Sequence, residues 1–544
     1  MVKYVLLSDT TLTHEYRGFP LLQFLPCAPV SLVPRPVYSY LKGPPPRHEN
    51  GRASVAPYAV RKIEAALLKE HKPEDVVVPH ESFLENFIRE DTEIIGVNTM
   101  DPLGLGPLTM SYQVFFGNGG DVNAYVKDEF LALIDRLNKA RKGMRAKLVV
   151  GGPGVWEFTL FPEELEKLGI DYAFQGEADD IINELFQDLA TGSVDHTRFW
   201  EGFQSFDEKF HKAWNPYQRF LTRRVGSRQF TNLEDIPEIV NPSTHSMVEA
   251  MRGCGIGCDF CEVTLRPLRY YPPEKVKREL AVNVNAGYAN AWLHSDEIFA
   301  YHHGPHYVPN AEALIALFSA VISLVPKTNP THGRISIPAG YPDLIRQLSS
   351  VIHAGPDNWI GMQVGVETGS EELARRHMPG KTLPLKIGAD GSWQQIVYEG
   401  TKNMNLAYWR PAFTVQVGQM DETPEDNWDT VRLVNRMSDA TFDIGRYLEF
   451  TVTPMQNVPL GLIKSRKFSA VPLDESQLAV YYACYRHLAK ITRRSGMGSA
   501  RGPLPHRIMT YLLLETGARS MLRVVESICK KRGLDLEKVK NIKG

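Results

Sequence analysis

Short apolar runs at residues 4–7, 94–97, 147–150 and 170–174 alternate with stretches of helical period at 59–70 and 126–142, and a further helical stretch follows at 179–191. Runs of this kind, apolar on both faces and spaced by helices, are the rhythm of a parallel sheet covered on both sides. The pattern predicts an α/β fold with a doubly wound, Rossmann-like domain over residues 1–190, whose ligands would sit at the carboxyl ends of the strands. Two insertions interrupt it, a Pro- and aromatic-rich segment at 14–58 and a Gly-rich one at 101–121, and both are expected to form loops that cover the ligand face or a neighbouring domain. Residues 191–240 show no clear period and carry Trp200, Phe203, Phe206 and Trp214, which suggests a structured linker.

From residue 241 a second rhythm begins, with strands expected at 245–251, 290–295, 334–338, 359–367, 412–418 and 447–453. Six strands separated by helices predict a partial (β/α)6 barrel over 241–463, with its chemistry at the carboxyl ends of the strands. Residues 464–544 have no strand pattern and are expected to form a helical C-terminal segment. The longest uncharged apolar stretch, 313–326, is about 14 residues, short of the roughly 20 that span a bilayer, and is expected to be a core helix.

Charge changes this picture in one place. The 544 residues hold 61 Lys+Arg and 63 Asp+Glu, a formal charge of -2 that excludes a polycationic nucleic-acid binder. The segment 464–544 alone has 17 Lys+Arg against 6 Asp+Glu, a local +11. Within it, Ile508, Tyr511, Leu512, Met521, Val524, Val525 and Ile528 interleave with Arg507, Arg519, Arg523 and Lys530. This is an amphipathic helix packed on the barrel, or a surface for an anionic partner or lipid head groups. Hydrophobic content of 43% excludes a disordered chain. The opening Met1-Val2-Lys3-Tyr4 has no signal-peptide pattern and six cysteines are too few for a disulfide scaffold, so a cytoplasmic, reducing location is expected.

Three of those six cysteines lie in Cys254-Gly255-Ile256-Gly257-Cys258-Asp259-Phe260-Cys261, directly after the expected strand 245–251. Three thiolates can hold three irons of a 4Fe-4S cluster and leave the fourth iron open to a substrate or cofactor. A structural zinc would want a fourth protein ligand, and no Cys or His stands nearby at finger spacing. The glycines let the loop wrap closely, and Phe260 can shield a cluster from water. Cys27, Cys484 and Cys529 are scattered, so ligands for a second cluster are lacking, and Cys27 is expected to be a small buried residue. His302, His303 and His306 are expected in a solvated loop rather than on a metal.

The cysteine spacing resembles that of the radical S-adenosylmethionine (SAM) enzymes, C-x3-C-x-aromatic-C after the first barrel strand. Three further stretches resemble family elements. Trp292-Leu293-His294-Ser295-Asp296-Glu297 stands at the second strand, and Gln363-Val364-Gly365-Val366-Glu367-Thr368-Gly369-Ser370 looks like the fourth-strand G-x-E-(S/T)-G element. Val417-Gly418-Gln419-Met420-Asp421-Glu422-Thr423 is similar to G-x-P-G-E-T, with Met420-Asp421 in place of Pro-Gly. In the first domain, Gly151-Gly152-Pro153 and Gly169-Ile170-Asp171-Tyr172-Ala173-Phe174-Gln175-Gly176-Glu177 resemble the cobalamin-binding domain that precedes the barrel in the cobalamin-binding (class B) branch of the family. The D-x-H-x-x-G motif of histidine-ligated cobalamin is absent.

The resemblance implies a cluster held by Cys254, Cys258 and Cys261. It implies SAM contacts at Asp296, Glu297, Glu367, Gly418 and Glu422, and cobalamin contacts at Thr10, Thr99, Met100, Gly151, Gly152, Pro153, Gly176 and Glu177. The activity it implies is methyl transfer to an unactivated carbon by methylcobalamin, or else cyclisation or carbon–carbon coupling of a lipid or other apolar substrate. An external electron donor such as ferredoxin or flavodoxin would be the partner, and the substrate, a protein residue or a lipid, is not written in the sequence.

Overall fold

The computed structural model describes residues 2–18, 20–117, 123–192, 199–201, 220–223, 230–443, 445–458, 472–495 and 503–542. The chain divides into two compact units, one comprising 1–109, 123–246 and 281–287, the other 110–122, 247–280 and 288–544.

The first unit is built on a seven-stranded sheet. Its strands are β1 (Tyr4–Ser8), β2 (Val76–Val77), β3 (Ile94–Asn98), β4 (Lys147–Gly151), β5 (Tyr172–Gln175), β6 (Phe199–Glu201) and β7 (Phe220–Arg223), in the spatial order β2-β1-β3-β4-β5-β7-β6. All neighbours are parallel except β6 against β7. The order reverses between β1 and β3, where a doubly wound sheet opens a crevice at its carboxyl edge. One face buries Leu6, Ile94, Val149 and Phe174 against Phe186 and Leu189 of the helix Ile182–Thr191, which explains the unbroken apolar runs.

The stretch 191–240, expected to be a linker, thus contributes β6 and β7 to the sheet. Its residues Phe203, Phe206 and Trp214 lie outside the described residues. Nor is the insertion 14–58 a bare loop: it holds the helix Arg35–Lys42 and a small hairpin pairing His48–Glu49 with Arg52–Ala53.

The second unit has six parallel strands met in chain order: β8 (Met247–Glu249), β9 (Ala291–His294), β10 (Thr328–Pro330), β11 (Ile360–Glu367), β12 (Trp409–Val417) and β13 (Thr451–Gln456). The two triplets are joined by a parallel bridge between His332 and Gln363. Two expected strands are misplaced. The third is Thr328–Pro330, while 334–338 is helical as part of Ser336–Gly340. The alternation of Ile335 and Ile337 mimics a strand, but both side chains are buried by a turn that Pro338 could not extend as a central strand. The sixth begins at Thr451 rather than 447, because Thr441–Phe442 and Arg446–Tyr447 form their own hairpin first.

The helix Glu475–Ser495 is buried on nearly every side, with Tyr481 stacked on Phe115 at 5.1 Å, so it belongs to the core of this unit. Phe115 lies in the helix Pro107–Phe116, where the sequence suggested only loop. The helix Leu504–Lys531 buries only Thr510, Val525 and Cys529. Among the described residues no helix is long and apolar enough to cross a membrane.

Candidate active site

In the second unit the three cysteines stand on a loop leaving the carboxyl end of β8, after a two-residue strand, Met251–Arg252, that pairs with Arg269–Tyr270. Hydrogen bonds from several elements shape the loop. Gly253 N donates to Asp296 Oδ2 beyond β9 (2.7 Å), Tyr307 Oη donates to Gly255 O (2.6 Å), and Gly257 N donates to Thr264 Oγ1 (2.6 Å). From the other side comes the helix Glu371–His377 and the turn Pro379–Thr382 after it. Asp259 N donates to His377 O (3.0 Å), and the His377 ring bonds Asp259 Oδ2 (2.7 Å) and Met420 O (2.9 Å). Gly380 sits so close to Ile256 that a Cβ there would overlap its carbonyl oxygen.

Burial pushes the Cys254 and Cys258 thiols up to about 12 and raises Cys261 as well. Thiols this reluctant to ionise hold their protons until iron or another strong Lewis acid displaces them. Three cysteines on one loop can each bind a different iron, so the donor set fits a 4Fe-4S cluster.

Around the loop the structure brings together Asp296, Glu297 and Glu367, and adds residues the sequence had not singled out. Glu297 is buried and caps the turn Ile298–Ala300. Its Oε1 accepts from Phe299 N and Arg334 N (3.2 Å each), and its Oε2 lies 3.4 Å from Arg334 Nε. Burial raises its carboxyl pKa, an effect the Arg334 guanidinium opposes. Arg334 is itself buried, stands over the Tyr307 ring at 5.1 Å, and leaves Nη2 without a hydrogen-bond partner. A buried guanidinium with an unused donor beside the cysteine loop fits a carboxylate ligand such as that of SAM.

Glu367 ends β11 at a register shift, with φ +64°. Such a bulge re-aims a side chain at some cost in backbone strain. Here it aims the carboxylate at Lys381 Nζ (Oε1, 2.6 Å) and Gln416 Nε2 (Oε2, 2.9 Å).

Glu422 accepts from four donors: Gly418 N (2.9 Å), Gln419 N (3.0 Å), Asn427 Nδ2 (2.9 Å) and Gln477 Nε2 (2.9 Å). Its carboxylate therefore braces the turn from Gly418. Asp421 in that turn has φ +55°, the left-handed conformation that a Gly would take freely and that Asp tolerates better than most residues. Sequence reasoning missed Lys381, Arg334, His377 and Tyr307. The one local signal was the turn pattern Pro379-Gly380-Lys381 after an amphipathic stretch; Arg334 was hidden inside the misassigned strand.

In the first unit the remaining candidates gather on one edge, because β1, β3, β4 and β5 are parallel and end together. Thr10 donates to Glu129 Oε2 (2.6 Å) and accepts from Lys42 Nζ (2.9 Å) at the mouth of a cavity of about 80 Å³ lined also by Asp9, His80 and Glu81. Thr99 is buried with an unpartnered Oγ1, while Met100 is half exposed. A Cβ on Gly151 would meet nothing nearer than Phe174 O at 3.9 Å. Gly152 is different: its φ is +95° and a Cβ would lie 2.8 Å from Thr99 O, so chain packing already demands glycine there. Gly152, Pro153 and Gly176 are exposed, and Glu177 Oε2 accepts from Thr231 N (3.0 Å). The open strand end at Gly151 with exposed Gly152, Gly176 and Met100 around it fits a broad flat ligand such as cobalamin.

Residues 248–434 match the family model described as the radical SAM superfamily. The second unit therefore carries a radical SAM domain. No curated protein matches the chain. Two solved structures of the radical S-adenosylmethionine methyltransferase TsrM from Kitasatospora setae are similar to it in outline. The one with cobalamin and a 4Fe-4S cluster bound has TM-score 0.46 and 16% identity, covering 84% of this chain and 75% of that chain. The one with tryptophan substrate and the SAM analogue aza-SAM has TM-score 0.45 and 15% identity, covering 79% and 70%.

Proposed function

We propose that the chain is a cobalamin-dependent radical SAM C-methyltransferase acting on an unactivated carbon. The observation that carries the reading is the three-cysteine loop, with Cys258 buried and Cys254 and Cys261 half-buried, at the head of a six-strand parallel half-barrel, in a chain whose other unit opens a strand end at Gly151. When bound, the cluster and SAM would supply hydrogen-atom abstraction, and cobalamin a transferable methyl group.

In this reading Cys254, Cys258 and Cys261 hold the cluster, and Asp296 fixes the loop through Gly253 N. Arg334 receives the SAM carboxylate on its free Nη2, with Glu297 orienting the guanidinium. Glu367 and Glu422 act one step back, through Lys381 and through the turn at Gly418. Thr10, Thr99, Met100, Gly151, Gly152, Pro153, Gly176 and Glu177 line the cobalamin edge.

The test is anaerobic purification after cobalamin-supplemented expression, followed by reduction with SAM and assay of two products. Deoxyadenosine together with S-adenosylhomocysteine, both lost in Cys258→Ala, is the expected result. Deoxyadenosine retained by Cys258→Ala would contradict the assignment. A second reading, cyclisation or coupling of an apolar substrate, is favoured by the exposed Leu504, Ile508, Met509 and Leu512 on a helix that also carries basic residues. It expects the full chain to sediment with anionic vesicles and to form deoxyadenosine without S-adenosylhomocysteine.

A further inference from the structure

Besides Arg334, the cysteine site holds a second, largely enclosed cation, Lys381. The turn that carries it is pinned to the cysteine loop by the Asp259–His377 bonds and by the close approach of Gly380 to Ile256. From that turn the side chain runs inward, 13% exposed, to meet Glu367. Its Nζ also stands 5.9 Å from the centre of the Phe260 ring, and Phe260 immediately precedes Cys261.

The pair is not a neutral bystander. Glu367 turns its second oxygen to Gln416, while the ammonium has the Phe260 ring of the cysteine loop beside it. The ammonium therefore stands beside the cysteine loop, in a setting where water screens little.

We propose that Lys381, anchored by Glu367, is a positioning residue that raises the reduction potential of the cluster held by Cys254, Cys258 and Cys261. The inference rests on the cluster reading above. Reduction adds one electron from an external low-potential donor of the ferredoxin or flavodoxin class, and no covalent bond forms or breaks at the cluster. With three thiolates the assembly goes from one net negative charge to two. An ammonium held beside it favours the more negative state and so eases a difficult reduction.

A purely structural ion pair would give a different answer in a potentiometric titration of the reconstituted holoenzyme followed by EPR. Lys381→Met is expected to lower the midpoint by about the equivalent of a tenfold change in reduced fraction, ~59 mV for one electron. Glu367→Gln, which leaves the ammonium uncompensated, is expected to raise it, and Lys381→Arg to stay near the wild type. Because Lys381→Met strands a buried carboxylate and could fail to fold, the doubly neutral Lys381→Met with Glu367→Gln is measured too and is expected below the wild type. Equal midpoints for the wild type, Glu367→Gln and the double variant overturn the proposal. A wild-type chain that assembles no 4Fe-4S signal at all overturns the cluster reading beneath it, and is told apart by that signal.

Discussion

Replacing Gly380 by alanine tests how the cysteine loop is held. A Cβ at this position overlaps the carbonyl oxygen of Ile256 and lies 3.0 Å from its carbonyl carbon and 3.4 Å from Ile256 Cγ2. Two of the three contacts are backbone atoms, so no flexible side chain can swing aside. Either the turn Pro379–Thr382 or the loop must move. Overpacking of this kind costs about 1–3 kcal/mol, and a shift large enough to break Asp259 N to His377 O adds about 1 kcal/mol for that hydrogen bond. A loss of about 2–4 kcal/mol is expected in urea denaturation, with a fall in iron and sulfide retained per chain after anaerobic reconstitution. Gly361→Ala is the control, since that Cβ would meet nothing within 4 Å and φ is not positive. It should change stability by less than about 0.5 kcal/mol, or stabilise slightly. Gly380→Ala with wild-type stability and full iron content would refute the packing argument.

Two further predictions concern pH. Asp9 is buried and raised from 3.8 to about 6, chiefly by desolvation. Its contribution is therefore fully present below pH 3.8 and is lost as pH rises through 6, a penalty on the order of 3 kcal/mol at pH 8. Asp9→Asn, which can still cap Thr11 N, should be more stable than the wild type at pH 8 and no better at pH 4, and thermal melts at the two values would show it. His487 is depressed from 6.5 to about 4 by burial, with Nε2 bonded to Phe450 O at 3.0 Å. Its contribution is present above pH 6.5 and is lost as pH falls toward 4, so acid should unfold the second unit earlier in the wild type than in His487→Gln. Equal acid midpoints would contradict the assignment.

The cysteine loop was legible because its three donors are contiguous, and contiguity is all that a loop wrapped around one cluster needs. The strands β1, β3 and β4 were legible as short, mostly buried apolar runs, and β11 and β12 by the alternation of their buried positions. β10 was not: Thr328-Asn329-Pro330 has no apolar pattern, and it is a strand only because β9 lies in parallel register beside it. β6 and β7 were likewise read as linker, since a short strand at the margin of a sheet leaves little periodicity to see.

What the sequence by itself determined is the local chemistry: which residues can bind iron, where glycines open a strand edge, and which stretches must be buried. What only the tertiary structure decided is who faces whom. Glu367 and Lys381, 14 residues apart, and Glu297 and Arg334, 37 apart, become buried pairs because a bulge, a turn and the barrel's curvature point them at one loop. The carboxylate of Glu422 was legible as a functional candidate, yet its four donors come from a turn, a helix and the C-terminal segment, and together they make it a brace. Charge interactions depend on distance and on the exclusion of water, and neither is written in the order of residues along the chain.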